Sequence, residues 1–136
     1  MFGSLDVSTS GLVAQRTRMD TIATNIANAQ TTGDAAGRAN PYRRRFVVFA
    51  TGDERGGPGV RVTAVREDPA PFPLRWDPNH PHRIREGPDA GYVRMPNVDY
   101  STEMVNAIEA SRAYEANITA MNVTKQMISA TFKLLA

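Results

Sequence analysis

The 136-residue chain contains no cysteine, which excludes disulfides, zinc–thiolate centres and a thiol nucleophile. No apolar run approaches the roughly 18 residues that a membrane-spanning helix needs, and no basic-then-apolar leader opens the sequence. We therefore expect neither a transmembrane span nor a cleavable signal peptide. Lysine is also scarce, since Lys125 and Lys133 are the only two, so arginine supplies almost all of the positive charge.

The charge is small in total but unevenly placed. The net charge is +2, yet residues 38–94 carry eleven arginines against seven acidic residues, and each flanking part sums to −1. Such a basic middle segment suits either a solvated polar surface or contact with an anionic polymer. Composition alone favours the solvated or inter-subunit surface.

The two ends of the chain carry its strongest pattern. Leu5, Leu12, Met19 and Ile26 recur every seven residues, and a second seven-residue column runs along the C-terminal end. This spacing predicts long amphipathic helices over residues 4–29 and 101–135, packed in the manner of a coiled coil. Helices of about 40 and 50 Å are long for a compact chain of this size, which has a radius of gyration of about 14 Å. The C-terminal columns consist of Met104, Ile118 and Phe132, and of Ala107, Tyr114, Met121, Ile128 and Leu135.

The predicted N-terminal helix contains a glycine and two asparagines, which are unusual in a helix and suggest tight packing. Gly11 inside a helix costs roughly 1 kcal/mol relative to alanine, and Asn25 and Asn28 lie beside the apolar seam. These positions either face solvent or mark a close helix–helix approach at Gly11, with amides that fix register between subunits.

The middle of the chain reads as loops and short strands. Turn-forming residues fill 31–41, and Phe46–Phe49, Val60–Val65, Phe72–Trp76 and Tyr92–Met95 are candidate strands. Repeated prolines between residues 69 and 96 keep any sheet small, and Asp99 or Ser101 is the expected N-cap of the second helix. We predict an α+β fold, in which the terminal helices form a coiled-coil hairpin (1–30 and 100–136) beside a small central β domain (31–99).

Two groups of residues allow a binding function. Asp77, His80 and His82 form the one metal-like cluster, although Pro78 and Pro81 favour an exposed turn there. The run Arg43–Arg45 followed by Phe46 and Phe49 permits a nucleic-acid reading, in which arginines meet phosphates and aromatic rings meet bases. No nucleophile motif or nucleotide-binding motif is present, so we expect neither catalysis nor a cofactor.

Several segments resemble the bacterial flagellar rod, hook and hook-associated axial proteins. Residues 5–12 (LDVSTSGL), 14–16 (AQR) and 24–29 (TNIANA) are similar to the N-terminal motif of that family. Residues 40–44 (NPYRR), 59–62 (GVRV), 91–99 (GYVRMPNVD) and 110–117 (ASRAYEAN) resemble its proximal-rod branch in the same order. Loops 31–41 and 79–90 depart from the usual pattern.

The resemblance implies a structural subunit of the flagellar basal-body rod, exported unfolded through the flagellar type III apparatus. It implies helical assembly through the terminal helices around the export channel, with copies of itself, other rod proteins and the adaptor to the membrane ring as partners, and neither nucleic acid nor a small-molecule substrate. The seam positions and two amides are the predicted assembly interface: Leu5, Leu12, Met19, Ile22, Asn25, Ile26, Asn28, Met104, Tyr114, Ile118, Met121, Ile128, Phe132 and Leu135.

Overall fold

The computed structural model describes residues 2–52 and 56–135 of the chain. Its order is helix α1 (Phe2–Ala27), strands β1 (Arg45–Thr51), β2 (Val60–Glu67), β3 (Leu74–Trp76) and β4 (Tyr92–Arg94), then helix α2 (Tyr100–Leu135). The predicted α+β class is confirmed, with both long terminal helices and the small central β region in place. No helix within the described residues combines the length and apolarity that crossing a bilayer demands.

The two helices lie side by side and run antiparallel, because contacts advance along α1 as they retreat along α2. Asn25 meets Glu103, Arg18 meets Glu109, and Gly11 approaches Asn117. The 26 residues of α1 and the 36 of α2 correspond to about 39 and 54 Å. Asp99 caps α2 as predicted, since its carboxylate accepts the backbone N–H groups of Ser101 and Thr102.

The central region consists of two separate two-stranded antiparallel sheets. β1 pairs with β2, with a bulge between Val48 and Phe49, and β3 pairs with β4. The four candidate strands are confirmed, although β3 and β4 have only three residues each. Prolines flank both short strands and remove the backbone donors that longer pairing needs.

The β1–β2 hairpin lies directly against α1. The backbone N–H of Val60 donates to the Ser10 hydroxyl over 3.1 Å. Gly59 makes this approach possible, since its φ is 142° and an added Cβ would lie 2.6 Å from the Ser10 oxygen. α1 therefore packs between α2 and the hairpin.

The core of the isolated chain is small. Among the residues that the structure describes, the buried apolar side chains are Ala14, Ile22, Val93, Met95 and Ala110. Polar groups share this interior, because Asn25 and Glu103 have no exposed surface at all. Buried polar groups are stable only when hydrogen-bonded, so these two side chains define the site described next.

Candidate assembly surface and the helix–sheet junction

Asn25 stands at the point where α1, α2 and β1 meet. Its amide nitrogen donates to the Arg45 carbonyl (2.7 Å) and to Glu103 Oε2 (3.0 Å). Its oxygen accepts the Tyr42 hydroxyl (2.9 Å) and the Arg45 backbone N–H (3.0 Å). All four hydrogen-bonding positions of the amide are therefore used within the chain, and none is left for a neighbouring subunit.

Glu103 is a charged side chain with zero exposure, held by two partners. Its Oε1 accepts from Arg44 Nε over 2.7 Å and its Oε2 accepts from Asn25. Its place in the first turn of α2 adds a favourable interaction with the positive end of the helix dipole. A buried carboxylate needs such charge-assisted hydrogen bonds, because leaving it unpaired is strongly destabilising.

Arg44 connects this carboxylate to the sheet. Its guanidinium also reaches Asp68 Oδ2 at 3.3 Å, and its backbone N–H donates to Asn97 Oδ1 at 2.8 Å. Burial acts to lower the pKa of Arg44, but the hydrogen bonds and charges of Glu103 and Asp68 outweigh it and raise that pKa. The junction thus links α1, β1, the end of β2 and the start of α2.

Tyr42 completes the junction from the loop side. Burial raises the pKa of its hydroxyl above the ordinary value, so the hydroxyl stays protonated and donates to Asn25. We call the set Asn25, Tyr42, Arg44, Asp68 and Glu103 the polar junction.

The arginine run is occupied inside the chain. Arg43 donates to the carbonyls of Asp68 and Ala70 and lies 4.2 Å above the Phe72 ring centroid. Arg44 belongs to the polar junction, and Arg45 lies 3.7 Å from a Glu67 carboxylate oxygen. These contacts give the run a structural role that does not require phosphate.

The histidine cluster is likewise built into loop contacts. His80 Nδ1 accepts the backbone N–H of His82, and His82 Nδ1 lies 3.0 Å from the hydroxyl of the buried Thr32. Among the described residues, no group of three or more His, Cys, Asp or Glu side chains is arranged to hold a metal ion. His82 instead connects the two loops 31–41 and 79–90.

Gly11 marks a close approach between the helices, as the sequence suggested. A Cβ added there would lie 2.9 Å from Asn117 Oδ1 and 3.1 Å from its Cγ. The Asn117 side chain is held in place by a 2.9 Å hydrogen bond to the Ala113 carbonyl. This approach lies within one chain.

The predicted assembly residues fall into three groups by exposure. Ile22 and Asn25 are buried in the chain, and the amide of Asn28 caps its own helix by donating to the Thr24 carbonyl. Most of the other predicted residues are half-buried, and the rest are exposed. The half-buried ones are Leu5, Leu12, Met19, Ile26, Asn28, Tyr114, Met121 and Ile128; the exposed ones are Met104, Ile118, Phe132 and Leu135.

Exposed apolar side chains occur along the whole length of helix α2, on more than one of its faces. Phe132 is 64% exposed and Leu135 is 80% exposed. Sequence periodicity identified only part of this set. Periodicity shows which residues share a helix face, but it does not show which face the partner helix covers. The remaining large apolar members are Val105, Ile108, Val123, Met127 and Leu134.

The last two turns of α2 extend beyond α1. Gly11 lies nine residues after Phe2, so the α2 position level with Phe2 is about nine residues after Asn117, near position 126. Residues 127–135 therefore project by roughly 14 Å. We call this segment the α2 extension.

Two long terminal helices with exposed apolar side chains, joined by a small β region, are typical of structural subunits. In such proteins, neighbouring chains cover the exposed apolar surface. Two family models match here: one described as flagella basal body rod protein over residues 5–33, and one described as flagellar basal body rod FlgEFG protein C-terminal over residues 89–134. The chain belongs to the FlgC family of flagellar basal-body rod proteins. The predicted family, and with it the predicted role of a structural rod subunit of the flagellar basal body, is confirmed.

The similarity to relatives extends along nearly the whole chain. The flagellar basal-body rod protein FlgC of Borreliella burgdorferi is 41% identical, over 99% of this chain and 97% of its own length. The FlgC proteins of Bacillus subtilis and Salmonella typhimurium are 41% and 42% identical, over 93% and 95% of this chain and 93% of each relative.

Proposed function

We propose that this rod subunit joins its neighbours through the exposed apolar side chains of α2, and above all through the α2 extension. The observation that carries the proposal is the exposure of Phe132, Leu134 and Leu135, at 64%, 87% and 80%, on a helix end that α1 does not cover. Burying such side chains against another chain is favourable by about 25 cal/mol per Å² of apolar surface.

The chemistry of the α2 extension and the turns before it suits packing between helices. Between Ile118 and Leu135 the only charged residues are Lys125 and Lys133. Few ionic groups would therefore need to be dehydrated or paired when this segment is covered. The other end of α2 differs, since Glu103, Glu109, Arg112 and Glu115 all precede Ile118.

In a helical assembly, neighbouring copies of the chain would cover these exposed side chains one after another along a tube. Stacked repeats bury one another's apolar faces in the same way. We place the subunit in the proximal rod, where 1–30 and 100–136 form the inner part and 31–99 the outer part. Resemblance to the proximal-rod branch over residues 91–99 supports this position. It also supports transport through the type III apparatus and contacts with other rod proteins and with the adaptor to the membrane ring.

The proposed role is mechanical and not catalytic. The potential binding groups already have partners inside the chain: Arg43 and Arg44 hold the sheet and α2, and His82 holds the Thr32 loop. A shaft that transmits torque needs many distributed contacts, which two long helices provide.

The test is gene replacement in the native host, followed by electron microscopy of purified basal bodies. Deletion should give membrane rings without a complete rod, and the full-length gene should restore it. A chain ending at Gln126 lacks the α2 extension but keeps every helix–helix contact described above, so it should fold and fail to restore rods. Complete rods with the shortened chain would contradict the proposal.

A further inference from the structure

The apolar seams alone leave the register of α1 against α2 ambiguous. One column on each helix is apolar at every seventh position, from Leu5 to Ile26 on α1 and from Ala107 to Leu135 on α2. Sliding one helix by seven positions would therefore return apolar side chains to the same levels along the pair. Such a slide moves α2 by about 10.5 Å along its axis. Something other than the seams must select one alignment.

The polar junction is satisfied in only one alignment. Asn25 and Glu103 are both fully buried, and the amide and carboxylate meet at 3.0 Å. A seven-residue slide would place Ala110 or Pro96 near Asn25 and would separate Glu103 from both Asn25 and Arg44. A buried carboxylate without its partners is strongly destabilising. The slipped alignments are therefore less stable than the native one, although their apolar contacts are similar.

We propose that the buried contact of Glu103 with Asn25 and Arg44 fixes the register of the helix pair, and thereby sets the length of the α2 extension offered for assembly. The second half of this statement depends on the proposed function. A slide in one direction would reduce the extension to about two residues, and a slide in the other would lengthen it by about two turns. Glu103 is thus a positioning residue that acts on assembly from the opposite end of the helix pair.

The absence of cysteine makes the register directly measurable by disulfide cross-linking. The Cβ position at Gly11 lies 3.1 Å from Asn117 Cγ, so the two Cβ atoms of Gly11→Cys with Asn117→Cys would lie about 4 Å apart, suitable for a disulfide. Gly11→Cys with Thr124→Cys, or with Ala110→Cys, reports the two slipped alignments, each in an Asn117→Ala background that removes the close contact at residue 11. The full-length chain in dilute solution should form the first cross-link and almost none of the others.

Glu103→Met is the informative variant, because it removes the buried charge at similar volume while Arg44 keeps Asp68 as a partner. We expect slipped cross-links to rise at least about tenfold, which corresponds to about 1.4 kcal/mol of lost discrimination. Where Glu103→Met does not fold, Arg44→Met with Glu103→Met removes both charges, and the same rise is expected. The matched control is Arg18→Met with Glu109→Met, an exposed pair on the same helices, which should leave the native cross-link dominant.

Native cross-linking alone in the folded Glu103 variants would overturn the inference. Slipped cross-links together with normal rods in the Glu103→Met host would retain the register role and contradict the proposed function of the α2 extension. Slipped cross-links together with few or no rods would support both. The cross-linking is done on the isolated chain, so its outcome does not depend on assembly.

Discussion

The two ends of the helix pair differ in how completely their side chains are satisfied. At the junction end, Asn25 and Glu103 are fully buried and each polar atom of their side chains has a partner. At the other end, the α2 extension presents Phe132 and Leu135 to solvent. The helix pair is therefore buried and fully hydrogen-bonded at the junction end, whereas its other end exposes apolar side chains to solvent.

This difference separates the residues that specify the fold from those that we propose specify assembly. Hydrogen-bonded charges are directional and discriminate between alignments, whereas apolar contact is non-directional and accommodates a neighbouring chain. Substitutions at the junction should change stability first, and substitutions on the extension should change assembly first. The four predictions below test this division, in order of decreasing expected effect.

The largest effect is expected from a charge placed among the exposed apolar side chains of α2. Ile118→Asp should abolish rod assembly and swimming, because a neighbouring chain would bury an unpaired carboxylate. The isolated chain should remain folded although it should lose some stability, since the side chain is already 38% exposed there. Basal-body electron microscopy and urea unfolding measure the two effects. Thr119→Asp, at the adjacent exposed position, is the control, and normal rods in Ile118→Asp would refute the prediction.

Two glutamates on α2 provide a matched test at the junction. Glu103→Ala should lower the free energy of unfolding by about 3 kcal/mol or more, as expected for breaking a buried ion pair. Glu109→Ala removes a partner of Arg18 whose carboxylate is 61% exposed, so its cost should be about 0–1 kcal/mol. Chemical denaturation of both variants gives the comparison. Equal losses of unfolding free energy in the two variants would mean that the buried Glu103 stabilises the helix pair no more than the exposed Glu109 does.

Gly11 tests the middle of the pair, between the two ends. Gly11→Val should destabilise the chain by about 1–3 kcal/mol, because the new side chain meets Asn117 in a closely packed region. Gly3→Val is the control, since nothing lies within 4 Å of a Cβ added there, and a change within about 0.5 kcal/mol is expected. A thermal or urea unfolding series distinguishes the two variants, and similar losses would argue against the close helix approach.

The smallest effect concerns the cap of α2. Hydrogen bonds from the Thr102 hydroxyl and backbone lower the pKa of the Asp99 carboxyl below its ordinary 3.8. A lowered pKa means that the ionised cap stabilises the fold above that range, and that this contribution is lost as the pH falls through the folded-state value.

Asp99→Asn should therefore be less stable than the unmodified chain at pH 6, and the difference in urea midpoint should shrink as the pH falls below about 3.8. Asp20→Asn, on the exposed face of α1, controls for loss of a surface carboxylate. A difference that stays constant across this pH range would rule out the charged cap as its source.

Much of the fold was accessible from sequence because its elements are locally determined. Seven-residue columns locate both helices, and Asp99 marks the start of α2. A compact apolar run locates β1, and alternation of apolar and polar residues locates β2. The predicted helix start at residue 4 and the observed start at Phe2 differ by two residues, which is usual at helix ends.

The polar junction could not be predicted because its members meet only through tertiary structure. Asn25 and Glu103 are 78 residues apart, and Glu103 has the same sequence appearance as any acidic residue in a first helical turn. The sequence reading placed Asn25 at a contact between subunits, whereas its hydrogen bonds all lie within the chain. The register role that we propose for Asn25 therefore acts between the two helices of one chain, whereas the sequence interpretation placed it between subunits.

The polar junction has all its partners within one chain, whereas we propose that a neighbouring chain covers the α2 extension. The most direct measurement is a cryo-electron microscopy map of the assembled rod in which the side chains of this subunit are resolved. We predict that Phe132, Leu134 and Leu135 are covered by adjacent subunits, while Glu103 keeps its contacts with Asn25 and Arg44. A map in which residues 127–135 remain open to solvent along the rod would contradict the account.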